Sequence, residues 1–170
     1  MPERAITRGA VTLAASDDGT GIPVVLLHGL TASRRYVVMG SRALERSGHR
    51  VVAFDARGHG ASEPAPEPGA YGYDEQWRDL AALLDELELE RAVLAGVSMG
   101  AHTSLRLALE RPERVAGLVV ITPGYDPVEL EDPERLARWD ALAAALGERG
   151  IEGFVEASRF ERLPATWRET

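Results

Sequence analysis

The chain has 170 residues, of which 45% are apolar and 27% charged, with a formal net charge of -8 and no cysteine. That size and balance fit one globular core with a small appendage, and the missing cysteines exclude disulfides, thiolate nucleophiles and zinc-thiolate sites. An acidic chain whose arginines are interspersed with carboxylates argues against nucleic acid as a partner, and no apolar run is long enough to span a bilayer, so no membrane partner is expected.

Residues 1–8 lack the apolar core of a signal peptide, and a cytoplasmic location is expected. Residues 4–15 read as two short strands, followed by a turn-rich connector at residues 16–21. Residues 23–27, Pro-Val-Val-Leu-Leu, form the kind of uninterrupted aliphatic run found in a strand buried on both faces, and they end in His28-Gly29-Leu30. Residues 31–48 carry helical spacing, and residues 49–55 are the next strand. After Asp55 come Arg57-Gly58-His59-Gly60 and Ser62, then a proline-rich surface loop over residues 64–69. Residues 74–91 read as a long amphipathic helix, with Trp77, Leu80, Leu83, Leu84 and Leu87 on one stripe and Asp79, Asp85, Glu86 and Glu88 elsewhere.

Residues 92–95 read as a short buried strand and residues 101–109 as a helix, with Gly96-Val97-Ser98-Met99-Gly100 between them. A strand that turns into a helix within one residue strains that residue, and glycines two before and two after it let neighbouring backbone pass closely. The serine oxygen is thereby held out, in the strand-turn-helix context of a G-x-S-x-G nucleophile elbow. Residues 114–121 are a further buried strand. Strand and helix alternate to this point, which predicts a doubly wound α/β fold with a mostly parallel sheet of about six strands. From Asp126 onward the alternation stops: residues 133–150 and 151–162 read as helices. The expected division is a core over 1–125 and a helical segment over 126–170.

The H-G loop at His28-Gly29, the D-x-R-G-H-G-x-S loop at residues 55–62 and the elbow at Ser98 sit on the ends of three successive strands. In that order and spacing they resemble the α/β-hydrolase fold family, over about residues 6–123, and especially its small cofactor-free members that cleave esters or lactones. The resemblance implies Ser98 as the nucleophile and the backbone N–H groups of Met99 and Leu30 as an oxyanion hole. It also makes His28, Gly29, Gly96 and Gly100 supporting loop residues, implies neither metal nor cofactor, and makes the helical tail the start of a cap. The chemistry requires the same parts, because attack on an acyl carbonyl builds charge on oxygen that fixed N–H groups can stabilise.

A serine hydroxyl also needs a base, and in this family the acid and the histidine follow the serine in chain order. Only His102 follows Ser98, a turn into its helix, where its side chain should be directed away from the serine oxygen. The two last strands of the fold, with the catalytic histidine, are therefore expected to be absent from these residues. Asp126 is a candidate triad acid or, alternatively, a turn aspartate before Pro127. Asp55 and Arg57 are expected to pair with each other and fix their loop; His28 is expected to shape its loop rather than carry a proton, and His59 to lock its loop or, alternatively, to face the pocket. Trp139, Phe154, Phe160 and Trp167 fit an acyl pocket or ordinary packing. Three functions stay open: a serine hydrolase of small acyl substrates, a non-catalytic binding module, and a haloperoxidase-like enzyme of the same fold. The apolar strand at residues 115–121 should be a bare sheet edge, open to a second copy or to a complementing carboxyl-terminal segment.

Overall fold

The computed structural model describes residues 2–123 and 133–158. Six strands, Glu3–Arg8 (β1), Val11–Asp18 (β2), Ile22–Leu27 (β3), His49–Phe54 (β4), Ala92–Val97 (β5) and Val115–Ile121 (β6), form one sheet in the order β1-β2-β4-β3-β5-β6. β4, β3, β5 and β6 are mutually parallel, whereas β1 and β2 are antiparallel additions at the other edge. The helices are Arg34–Val38 (α1), Ala43–Arg46 (α2), Tyr73–Glu86 (α3), Met99–Glu110 (α4) and Pro133–Ser158 (α5).

Alternation along the central strands divides the core into two layers. Val25, Leu27, Val52, Phe54 and Leu94 point to one face and meet Leu80, Leu83 and Leu84 of α3 and Leu107 of α4. Val24, Leu26, Val51 and Ala53 point to the other, against Val37 of α1 and Leu44 of α2. A continuous aliphatic strand is what a sheet covered on both faces demands, and each fully buried leucine contributes about 1.5–3 kcal/mol. Because the four parallel strands run the same way, His28, Asp55, Ser98 and Thr122 all emerge at one rim, where open α/β sheets bind their ligands.

Several expectations need correction. Residues 16–18 are not connector but the end of β2, paired with β4, because Asp17 takes both arms of Arg50 at 2.9 and 2.8 Å. The span 31–48 is not one helix: α1 stops at Met39 and Gly40, which take φ of 46° and 78°, and α2 is a separate turn. α3 ends at Glu86, since Leu87 caps it and Glu88 turns left-handed with φ 54°. Trp77 is only half-buried, and Asp79, expected off the buried stripe, is 1% exposed.

The chain divides into two compact units, Met1–Gly124 and Tyr125–Thr170. In the second, α5 is two helical arms joined at Gly150, with φ 64° and ψ -151°. Trp139 is half-exposed there and Phe154 partly buried. Phe160 and Trp167 lie outside the described residues.

Candidate active site

β5 ends at Val97 and α4 begins at Met99, so Ser98 alone makes the turn, with φ 49° and ψ -109°. An L-residue with a side chain rarely adopts that conformation, which costs on the order of 1–3 kcal/mol and persists only where neighbours impose it. The neighbours are visible. Ser98 N–H donates to the Ile121 carbonyl at 3.0 Å, its own carbonyl accepts from His102 N–H at 3.1 Å, and its side chain is left exposed. The flanking glycines are required by close approach: a Cβ on Gly96 would lie 2.3 Å from the Gly100 oxygen, and one on Gly100 would lie 2.5 Å from the Leu27 oxygen. α4 therefore starts directly against the end of β3.

The loop after β3 lies beside this turn, since β3 pairs directly with β5 and a Cβ on Gly29 would be 3.6 Å from Ser98 Cβ. His28 is buried, and its ring laces two loops together. Ala56 N–H donates to Nε2 at 2.9 Å, so Nε2 bears the lone pair and Nδ1 carries the proton that it donates to the Gly29 carbonyl at 2.8 Å. Burial lowers the pKa of this imidazole, favouring the neutral ring that the two bonds require.

The loop after β4 supplies the opposing wall. Asp55 and Arg57 do not pair with each other as expected. Asp55 instead accepts Arg34 N–H at 2.7 Å and Ala61 N–H at 3.0 Å, closing its own loop and tying in α1. Arg57 turns the other way and grips Asp79 through Nε and Nη2, each at 2.7 Å. Arg8 of β1 also reaches Asp79, at 2.6 Å, and pairs with Glu75, so two guanidiniums neutralise one buried aspartate. The Asp79 cluster escaped the sequence reading because polarity outweighed spacing. Asp79 stands three residues after the buried Gln76 and four before the buried Leu83, on the inner stripe of α3.

His59 bridges the loops as well, with Nδ1 3.0 Å from the Arg57 carbonyl and Nε2 2.8 Å from the Leu30 carbonyl. Of the other two histidines, His102 packs against Tyr73 with ring centroids 5.1 Å apart. His49 sits at the opposite end of the parallel strands, bonded to Ser47 and Leu44. All four histidines of the sequence thus have other contacts. Asp126 lies outside the described residues. Among the described residues, no cluster of three or more His, Asp or Glu side chains is arranged to hold a metal ion, and no helix is long and apolar enough to cross a membrane.

A sheet wound on both faces, with a strained serine between a central parallel strand and its helix, makes this a doubly wound α/β protein, a class whose ligand sites lie at the carboxyl rim. A family model described as alpha/beta hydrolase fold matches residues 22–165, and the chain belongs to that family. The sn-1-specific diacylglycerol lipase ABHD11 of Mus musculus is 40% identical over 160 residues, covering 81% of this chain and 51% of that protein. Among solved structures, a thermophilic esterase from Thermogutta terrifontis superposes with a TM-score of 0.77 at 29% identity, covering 99% of this chain and 62% of that one. Epoxide Hydrolase A from Mycobacterium thermoresistibile superposes with a TM-score of 0.71 at 28% identity, covering 88% and 50%. The chain spans about half the length of the curated relatives it matches.

Proposed function

We propose that these residues carry the nucleophile and oxyanion-binding half of a serine hydrolase acting on a small ester, lactone or related acyl substrate. The observation that carries this reading is Ser98, exposed and strained at the strand-helix turn beside Gly29. That geometry supports reading the turn as a nucleophile elbow. Ser98 Oγ would add to the acyl carbon while the N–H groups of Met99 and Leu30 receive the developing oxyanion, and the positive end of the α4 dipole would reinforce them. Collapse of the adduct would expel the alcohol and leave an acyl-serine, which water then hydrolyses. The esterase and lipase names of the relatives support this class of substrate.

Taking the Ser98 proton requires a base. His28 and His59 are bonded to carbonyls, His102 packs on Tyr73, and His49 is at the far rim. The reading therefore assigns the base to a histidine outside these 170 residues, with Asp126 a candidate for the acid that orients it. The same placement fits a binding module without catalysis, and a haloperoxidase-like reaction would use the same elbow. Acylation by 4-nitrophenyl acetate separates the two serine-nucleophile readings from the binding module. With oxyanion donors and binding alone, about 10³- to 10⁴-fold over water remains. The chain alone should show that feeble rate, mass mapping should find slow acetylation confined to Ser98, and Ser98→Ala should remove the acetylation while leaving much of the residual rate. Binding of the ester with no acylation and no Ser98 dependence would instead support the binding module.

A further inference from the structure

We propose that His59 is a positioning residue for the Leu30 peptide, an inference that rests on the Ser98 chemistry above. Leu30 is 48% exposed, so burial of this residue is not what holds the loop. Its backbone is held instead, one peptide plane at a time. Gly29 C=O and Leu30 N–H belong to the same planar trans unit and point opposite ways. His28 Nδ1–H and Ala32 N–H both donate to that carbonyl, at 2.8 and 3.1 Å, which turns the Leu30 N–H away from them. The next plane begins at Leu30 C=O, and the His59 ring, 2.8 Å away, reaches it from the other loop. The His28 clamp sets the plane that carries the Leu30 N–H, and the His59 clamp holds the next plane, so that Leu30 is braced on both sides.

The clamp has a rigid base. Arg57, whose carbonyl faces the other nitrogen of His59, is 3% exposed and locked to Asp79. Ser62 Oγ donates to the Asp55 carbonyl at 2.6 Å, and Asp55 ties down Ala61 N–H, so the chain on both sides of His59 is fixed. The His59 ring also lies 5.0 Å from that of His28, placing the two clamps side by side. Both nitrogens of His59 face carbonyl oxygens, which only accept; one ring proton serves one contact, and the doubly protonated ring serves both.

The test uses phenylboronic acid, which forms a tetrahedral anion on a serine oxygen, with ¹⁵N relaxation at the Leu30 amide. His59→Phe keeps a ring and removes both ring nitrogens; His59→Gln restores a donor. The expected result is about tenfold weaker boronate binding for His59→Phe, less than the 10²- to 10³-fold that losing an oxyanion donor outright costs. His59→Gln should recover most of the affinity. The Leu30 order parameter should fall from about 0.85 to below about 0.6 in His59→Phe alone. Boronate binding within twofold of wild type, with Leu30 still ordered, would overturn the proposal. Ser98→Ala distinguishes the two levels: if it binds boronate as well as wild type, the serine reading fails, while Leu30 order still decides the clamp. Should His59→Phe not fold, His59→Asn, too short to reach Leu30, makes the same comparison.

Discussion

Ser98 and His28 both occupy states that the surrounding fold imposes, and both can be tested by removing the imposition. Glycine adopts the Ser98 backbone angles without penalty, so Ser98→Gly should stabilise the chain by about 1 kcal/mol after its larger unfolded-state entropy is counted. Ser98→Ala keeps the strain and should leave stability near wild type; urea titration of the three proteins checks both. His28 gives a pH signature. Its pKa is lowered in the fold from 6.5, chiefly by burial, so below 6.5 the unfolded chain binds a proton that the folded chain resists. Its contribution is therefore present above pH 6.5 and lost as pH falls through the lowered folded value. Stability curves measured from pH 7.5 to 5 should decline, and His28→Gln should flatten that decline; parallel curves would contradict it. The positions of Ser98, Gly96 and Gly100 could be read from sequence because a one-residue turn restricts the residue types around it. The partners of Asp55 and Arg57 could not. Both lie in one short loop, and which buried charge Arg57 meets depends on Asp79, brought in by a helix that starts 16 residues later.

At the scale of elements, the close contact between α4 and β3 constrains the site. Gly100→Ala would push a Cβ against Leu27 backbone and should destabilise by about 3 kcal/mol, displacing the helix that holds Met99. Gly69→Ala, with nothing within 4 Å of its Cβ, should stay within about 0.5 kcal/mol of wild type in the same denaturation assay. The Asp79 cluster joins β1, the loop after β4 and α3, and Asp79→Ala would leave Arg57 buried without its carboxylate. A loss of about 3–5 kcal/mol is expected by chemical denaturation, against a small change for the exposed pair Arg106–Asp74. The strands were readable because a continuous aliphatic run demands cover on both faces. The region 31–48 was not, because its helical spacing carries no sign of the left-handed turn at Met39 and Gly40. The end of β2 was masked by two aspartates whose pairing with Arg50 and Arg42 appears only once the sheet forms.

For the whole molecule, the two edges of the sheet differ in a way that bears on assembly. β1 presents Glu3, Arg4, Ala5 and Thr7 at its exposed positions, whereas β6, expected from its aliphatic run to be buried, exposes Leu118, Val119, Val120 and Ile121, at 39%, 47%, 37% and 46%, because it is the edge strand. Charge blunts the first edge, and the second is a pairing template. We expect concentration-dependent association of the 170-residue chain by light scattering, suppressed by Val119→Lys; a monodisperse monomer at high concentration would contradict this. An apolar strand that is exposed on both faces also suits a complementing strand and its helix, and the chain covers about half the length of its relatives. The claim that Ser98 is a nucleophile awaiting its base is tested most directly by intact-mass measurement of fluorophosphonate labelling. The 170-residue chain should label at Ser98 slowly or not at all, and addition of a carboxyl-terminal segment bearing the histidine should accelerate labelling by several orders of magnitude. Rapid labelling of the 170-residue chain alone would contradict it and would put the base on one of its own four histidines.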